Sequence, residues 1–130
     1  MRDIVKLISN SNARTTGKVN DEMINQAEKE LNFKFNNEYR TFLENFGVLV
    51  SGSNEIFGLG VNGYLNVVSS TLEEREIHGN SLEKYIVIQD YGTGDILITL
   101  DGQGIVYESR SNQNKKLYGS FFEFLEGEIL

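Results

Sequence analysis

The spacing of apolar residues changes near Gly47, and this change limits the fold more than any other feature of the sequence. Before it, Tyr39, Phe42, Leu43 and Phe46 recur three or four residues apart, which is the spacing of one face of an α-helix. After it, short runs rich in β-branched and aromatic residues are separated by glycine-rich links, a pattern typical of strands joined by tight turns. Helices followed by strands predict the α+β class.

The sequence also carries the polar residues that begin helices. Asn20 can accept a hydrogen bond from a free backbone N–H of a helix over residues 20–31, and two acidic residues follow it in the first turn, where the helix dipole favours them. A short amphipathic helix is predicted over residues 3–10, and one or two helical turns are predicted over residues 71–78, ending at Gly79. Near the end of the sequence, Ser120 and Glu123 form a capping-box pattern that predicts a last helix.

The β-type runs predict a single antiparallel sheet of the meander type, with the helices packed on one face. Residues 55–59 and 64–68 flank Asn62-Gly63, the dipeptide that best fits a type I′ hairpin turn. Three further runs, joined by short glycine-rich links, cover residues 85–88, 95–100 and 104–107. Residues 109–116 are polar and basic and are predicted to form a loop. No linker or repeat divides the sequence, so a single domain over residues 1–130 is expected.

The composition removes several classes of site. The 130 residues include no cysteine and one histidine, which excludes a disulfide scaffold, a thiolate zinc site, a cysteine nucleophile and any site built on two imidazoles. The net charge of -7 argues against nucleic acid, whose phosphates require clustered lysine and arginine. We therefore expect no metal, no cofactor and no nucleic-acid partner. No apolar stretch is long enough for a signal peptide or a transmembrane helix, so a cytoplasmic protein without a membrane partner is expected.

The negative charge is concentrated in one part of the sequence. Residues 71–108 carry eight acidic and two basic side chains, whereas residues 109–120 carry three basic and no acidic ones. The densest acidic cluster is formed by Glu73, Glu74 and Glu76. The sequence leaves two interpretations of this cluster equally open: a solvated helix face, or a surface that attracts a basic protein partner.

Three patterns suggest nucleotide binding or catalysis, and a structural interpretation is favoured for each. Residues 58–63 match G-x-G-x-x-G, but a dinucleotide site needs a helix directly after this motif, and β-type residues follow it here. His78 lies four residues after Glu74, but no nucleophile or oxyanion site accompanies the pair. Three aspartates at predicted strand ends are candidate acid–base residues, yet they stand in or beside glycine-rich turns, where aspartate is common: Asp90, Asp95 and Asp101.

Several short motifs, taken in order over residues 20–126, have a combined spacing that resembles a known family. They are Ile24-x-x-Ala27-Glu28-x-x-Leu31, Tyr39-Arg40-x-Phe42-Leu43-x-x-Phe46-Gly47, Ile56-Phe57-Gly58-Leu59, Thr71-x-x-x-Arg75, Gly94-Asp95-x-x-x-x-x-Asp101, Val106-Tyr107 and Ser120-Phe121-Phe122-Glu123-Phe124-Leu125. The set resembles the SUKH superfamily, which includes yeast cell-wall assembly regulators and many bacterial toxin-immunity proteins. One departure is Phe35-Asn36, where the family usually has Leu-Pro; Asn36 can cap the following helix in its place.

The resemblance implies one α+β domain that is not an enzyme and that binds another protein. Bacterial members are similar to immunity proteins, which neutralise a cognate toxin by stoichiometric occlusion. Such toxins are often nucleases or deaminases with a basic cleft. For this chain, that implies a rim of acidic residues with tyrosine anchors: Glu73, Glu74, Glu76 and Asp90, with Tyr64 and Tyr91. A second set is expected to be structural in the family: Thr71, Arg75, Asp95, Asp101, Tyr107 and Ser120. The alternative is a regulatory scaffold or adaptor, and a monomer or weak homodimer is expected in either case.

Overall fold

The chain combines helices with antiparallel strands in an α+β arrangement, as predicted. The computed structural model describes residues 3–92, 96–110 and 113–130. The helices within these ranges are α1 (Ile4–Ser9), α2 (Asp21–Leu31), α3 (Asn37–Phe46), α4 (Val67–His78) and α5 (Phe121–Phe124). The strands are β1 (Arg14–Thr15), β2 (Leu49–Ser51), β3 (Asn54–Ile56), β4 (Tyr85–Asp90), β5 (Leu97–Asp101), β6 (Val106–Arg110) and β7 (Gln113–Tyr118). A 3-10 turn, Gly79–Leu82, follows α4, and a π-helical turn, Leu125–Ile129, follows α5.

Each of these helices begins at a side chain that accepts from its free backbone N–H groups, which is worth about 1 kcal/mol for each helix. The capping side chains are Asp3, Asn20, Asn36, Asn66 and Ser120. The caps predicted at Asn20, Asn36 and Ser120 are therefore confirmed. Among the described residues, no helix combines the length and the apolar character needed to cross a membrane.

The prediction of a single sheet is wrong, because the strands form two antiparallel sheets. One has the order β1-β2-β3 and the other the order β4-β5-β6-β7. The chain leaves β3 at Ile56, and the next residue, Phe57, donates its N–H to the carbonyl of Ile88 in β4 at 2.8 Å. The two sheets therefore meet at this crossing instead of continuing as one ladder.

The predicted hairpin at Asn62-Gly63 is also wrong. The run that was expected to be its second strand contains the start of α4, since the Asn66 side chain accepts from the N–H groups of Val68 and Ser69. Val67 is fully buried there. Burial against the core and a strong cap thus override the β preference of two consecutive valines. The predicted end of this helix, at His78 before Gly79, is confirmed.

The expected loop over residues 109–116 contains the end of β6 and most of β7. Strand β7 lies at the outer edge of the four-stranded sheet, paired only with β6. Its residues are mostly exposed or half-buried. An exposed edge strand needs few apolar residues, and lysines such as Lys115 and Lys116 oppose pairing with another chain. The pattern of hydrophobicity therefore hid this strand, whereas β4, β5 and β6 agree with the predicted runs.

The core lies between the helices and the two sheets, and aromatic rings form its centre. The Tyr39 ring packs edge-on against the Phe121 ring, with their centroids 5.2 Å apart. The Tyr39 hydroxyl donates to the carbonyl of Phe57 at 2.7 Å. Close backbone packing completes this region. A Cβ built on Gly58 would lie 1.6 Å from the carbonyl oxygen of Gly47, so only glycine fits there.

Candidate functional site

A small acidic cavity opens between β3, α4 and β4. Its volume is about 320 Å³, and its lining consists of Glu55, Phe57, Tyr64, Ser70, Glu73, Glu74, Val87, Asp90 and Gly92. Four of these residues are acidic and none is basic. The cavity therefore combines a negative rim with an apolar and aromatic wall, and it favours a cationic group over an anionic one.

The aromatic wall of the cavity is held in place although it is exposed. Tyr64 is 60% exposed, yet its hydroxyl donates to Glu55 Oε2 at 2.6 Å and its ring packs edge-on against Phe57 at 6.1 Å. Ser70 donates to the backbone carbonyl of Tyr64. The hydrogen bond to Glu55 raises the pKa of Tyr64. These contacts fix the tyrosine ring at the mouth of the cavity, and a fixed ring loses little conformational freedom on binding.

The acidic side of the cavity comes from one face of α4. Ser70, Glu73 and Glu74 are three and four residues apart and share this face. Glu74 Oε2 is buried and has no hydrogen-bond partner, although His78 Nε2 lies 3.8 Å away. Burial raises the pKa of Glu74, and Asp90 adds to this effect, while His78 opposes it. Glu74 is thus a carboxylate whose charge is incompletely compensated within the chain.

The structure brings together four of the six residues predicted to bind a partner. Tyr64, Glu73, Glu74 and Asp90 line the cavity.

Glu76 and Tyr91 do not line the cavity. Glu76 is two residues beyond Glu74, which turns it away on the helix. The pKa of Tyr91 is raised by burial and then by Glu128 and Glu108, so these two charges lie near its ring.

Sequence reasoning missed three residues at this site. Glu55 and Phe57 line the cavity, and Ile77 lies on the same face of α4, one turn beyond Glu73 and Glu74. Ile77 is 67% exposed, which is unusual for a large aliphatic side chain next to a negative cavity. The predicted helical turns over residues 71–78 already place Ile77 one turn beyond Glu73, but the exposure of its side chain beside the cavity is visible only in the structure.

Two residues of the expected structural set hold α4 against its neighbours. Thr71, which is fully buried, accepts the N–H of Val87 at 2.9 Å. Arg75 donates to three backbone carbonyls, which belong to Leu31 at 2.6 Å, Tyr85 at 3.1 Å and Leu82 at 3.2 Å. Burial lowers the pKa of Arg75. One guanidinium thus joins the end of α2, the turn after α4 and the start of β4.

The remaining members of that set lie in turns and caps away from the cavity. Asp101 accepts from the N–H groups of Gln103 and Ile105 and from the Tyr107 hydroxyl at 2.9 Å. Burial and the bond to Asp101 raise the pKa of Tyr107 to about 12. Ser120 caps α5. Asp95 lies outside the described residues.

The geometry gives the other chemical patterns structural roles. Residues 58–63 do precede a helix, contrary to the expectation, but α4 begins only at Val67, and the groove beside this loop is lined by Glu22 and Glu30, which oppose phosphate. Asp90 accepts from the N–H of Gly92 at 2.7 Å, as turn aspartates do. Among the described residues, no group of three or more acidic or histidine side chains is arranged to hold a metal ion.

Comparisons with known proteins agree with the fold. A crystal structure of a protein from Pseudomonas syringae pv. tomato is similar, with a TM-score of 0.76 and 11% sequence identity, over 96% of this chain and 95% of that chain. At this identity the likeness shows a shared fold alone. The curated proteins give no match. Residues 1–130 match the family model SUKH_5, described as SMI1-KNR4 cell-wall.

Proposed function

Because the chain belongs to the SUKH_5 family, described as SMI1-KNR4 cell-wall, we propose that it is an immunity-type protein that neutralises a cognate bacterial toxin. The family comprises immunity and regulatory proteins that are generally not catalytic. The proposed toxin is a nuclease or deaminase, and the proposed mechanism is stoichiometric occlusion of its basic substrate cleft by the acidic cavity and its rim.

The acidic cavity is the observation that carries this proposal. Four carboxylates converge on it without a basic neighbour in its lining, and Glu74 keeps a buried oxygen without a hydrogen-bond donor. An arginine or lysine from a partner, placed among these carboxylates, would supply the compensating charge. The net charge of -7 would also accelerate the approach of a basic protein.

The exposed apolar residues beside the cavity would supply most of the binding free energy, which charge alone does not provide. Tyr64, which lines the cavity, is 60% exposed, and Ile77, one turn beyond Glu73 on α4, is 67% exposed. Large aromatic and aliphatic side chains at the centre of an interface contribute most of its binding free energy, while rim charges mainly raise the association rate. We expect Tyr64 to be the main anchor, with Glu73, Glu74 and Asp90 around it.

Co-expression with the toxin encoded beside its gene tests the proposal. The chain should rescue growth and co-purify with the toxin in a one-to-one complex. If no neighbouring toxin is neutralised or bound, the proposal is refuted. Once the toxin is identified, its inhibition by this protein should be competitive with the toxin's substrate, because occlusion blocks the substrate cleft itself.

Charge-reversal variants locate the binding face. Replacing Glu73 and Glu74 by lysine should weaken binding by about 10- to 100-fold and reduce its dependence on salt. The matched control is Glu76→Lys, which makes the same change on the same helix but away from the cavity, and it should have a much smaller effect. Equal losses in both would mean that the whole helix surface, and not the cavity, attracts the partner.

Two substitutions at Tyr64 separate its ring from its hydroxyl. Tyr64→Ala should weaken binding by about 30-fold or more, since it removes the proposed anchor. Tyr64→Phe keeps the ring and loses only the bond to Glu55, so most of the affinity should remain. An alanine variant that binds as tightly as the parent would remove Tyr64 from the interface.

A regulatory adaptor is the second candidate, because the family description names a cell-wall protein. The same cavity would then bind a basic segment of the regulated protein. A gene neighbourhood without a toxin, together with capture of a cell-wall or signalling protein that is lost in the Glu73→Lys, Glu74→Lys variant, would favour this candidate.

A further inference from the structure

A second concave surface lies on another side of α4, and the proposed function does not use it. This groove runs along α2 and is closed by the loop over residues 59–62 and the first turn of α4. Its volume is about 720 Å³. Its apolar floor is formed by Met23, Ala27, Leu59, Val61 and Val68.

The apolar floor is incompletely covered. Met23 is 45% exposed although it stands in the middle of the groove, and Leu72, one turn beyond Val68 on the same face of α4, is 41% exposed. A flexible methionine at a concave surface adapts its shape to an apolar side chain that enters. The floor therefore suits a partner with a single aliphatic residue at its centre.

The charges on the groove specify what flanks that residue. Glu22 and Glu30 are the charged residues of its lining, and neither forms an ion pair with the described part of the chain. They are eight positions apart on the helix, which corresponds to about 12 Å. Gln26 lies between them, and its side chain makes no hydrogen bond with the described residues. A complementary segment carries two positive charges about 12 Å apart.

The loop wall of the groove indicates the conformation of that segment. The N–H groups of Gly60 and Val61 have no acceptor among the described residues. An extended segment offers free main-chain carbonyls along its whole length to pair with them, whereas a helix leaves free only those of its last turn. An extended chain advances about 3.3 Å per residue, so charges about 12 Å apart are four residues apart.

We propose that the groove between α2 and the loop over residues 59–62 binds an extended protein segment of the pattern basic-x-aliphatic-x-basic. The aliphatic side chain contacts Met23 and Val68, and the two cations pair with Glu22 and Glu30. The acidic cavity is formed by a different face of α4, at Glu73 and Glu74. The groove can therefore be occupied whether or not the cavity binds a toxin.

A synthetic peptide tests this proposal without any knowledge of the natural partner. The probe is the acetylated and amidated pentapeptide lysine-serine-leucine-serine-lysine, titrated to about 5 mM into the isotope-labelled protein while amide chemical shifts are recorded. Saturable shifts should be confined to α2, residues 59–62 and the start of α4. Peptides with glutamate for both lysines, or with serine for leucine, should bind at least about fivefold more weakly.

Variants of the groove and the cavity separate the two surfaces. Glu22→Gln with Glu30→Gln, and separately Met23→Ser, should each weaken the peptide by about fivefold or more. Glu73→Gln, the control at the cavity, should leave peptide affinity unchanged. All four positions are exposed, so the variants should fold, which circular dichroism verifies.

Three results would overturn the proposal. The first is the absence of shifts at the highest peptide concentration. The second is binding that shifts cavity residues and is lost in the Glu73→Gln control. The third is a sedimentation profile in which the protein is a dimer that Met23→Ser dissociates, which would assign the groove to a second copy of the chain.

Discussion

The hydrogen bond between Thr71 and Val87 offers the sharpest test of how the acidic cavity is built. Strand β4 is an edge strand, so the N–H of Val87 points away from β5 and would lack a partner. Thr71 Oγ1 accepts it at 2.9 Å, and both residues are at most 1% exposed. The substitution Thr71→Val keeps the shape of the side chain and removes the acceptor.

The expected loss of stability follows from the burial of the Val87 N–H, which has no acceptor in Thr71→Val. An unsatisfied buried donor costs about 1–3 kcal/mol. For a chain of 130 residues, that corresponds to a fall in Tm of about 3–12 °C. Urea unfolding should show a lower midpoint with an unchanged slope, since the surface exposed on unfolding is the same.

Thr99→Val is the matched control. Thr99 is equally buried, and its hydroxyl bonds to the Ser109 hydroxyl at 2.9 Å, while Ser109 also bonds to Asn114. Because no backbone group is left without a partner, this variant should cost about 1 kcal/mol or less. Amide hydrogen exchange adds a local measurement: the N–H of Val87 should exchange faster in Thr71→Val and not in Thr99→Val.

Equal stability of the two valine variants would refute the reasoning. It would mean that the N–H of Val87 donates to another acceptor in Thr71→Val and that apolar contacts alone hold α4 against β4. Slow exchange at Val87 in Thr71→Val would lead to the same conclusion.

Three further predictions concern charge, titration and backbone packing. Glu74→Gln should raise Tm at pH 7, because the raised pKa of Glu74 means that its ionised form destabilises the fold. This gain should shrink as the pH falls through the raised pKa and disappear below the ordinary pKa of a glutamate, where the parent side chain is protonated in both states. In alkaline titrations followed by tyrosinate absorbance, Tyr107 should ionise at about pH 12, and Asp101→Asn should lower that pKa by removing the adjacent charge. Gly58→Ala should prevent folding because its Cβ would overlap a backbone oxygen, whereas Gly102→Ala, with no atom within 4 Å, should be tolerated, as soluble yield and circular dichroism would show.

The resemblance to the SUKH family was recoverable from the sequence because it rests on an ordered set of local patterns. Stripes such as that of Tyr39 and Phe42, caps such as Asn20, and the turn at Asp101 each depend on residues close together in the chain. Local physics fixes such features, and the family match over residues 1–130 confirms their combined meaning. The α+β class follows from the same patterns.

Two local predictions were wrong for reasons that involve distant residues. Val67 and Val68 favour a strand by themselves, but burial against the core and the cap at Asn66 make them the first turn of α4. Strand β7 is polar because it lies at a sheet edge, and a sequence pattern does not reveal which strand will be the edge.

The sequence by itself determined most of the helices, several of the strands, the family and the excess of negative charge. The tertiary structure decided where that charge acts. Glu55 and Asp90 are 35 residues apart in the chain, and only the crossing of β3 and β4 brings them to one cavity. The same packing turned Glu73 and Glu74 toward that cavity and Glu76 away from it. A cluster in sequence becomes a site only when burial lowers the dielectric around it and neighbouring elements close its walls, and both depend on long-range contacts.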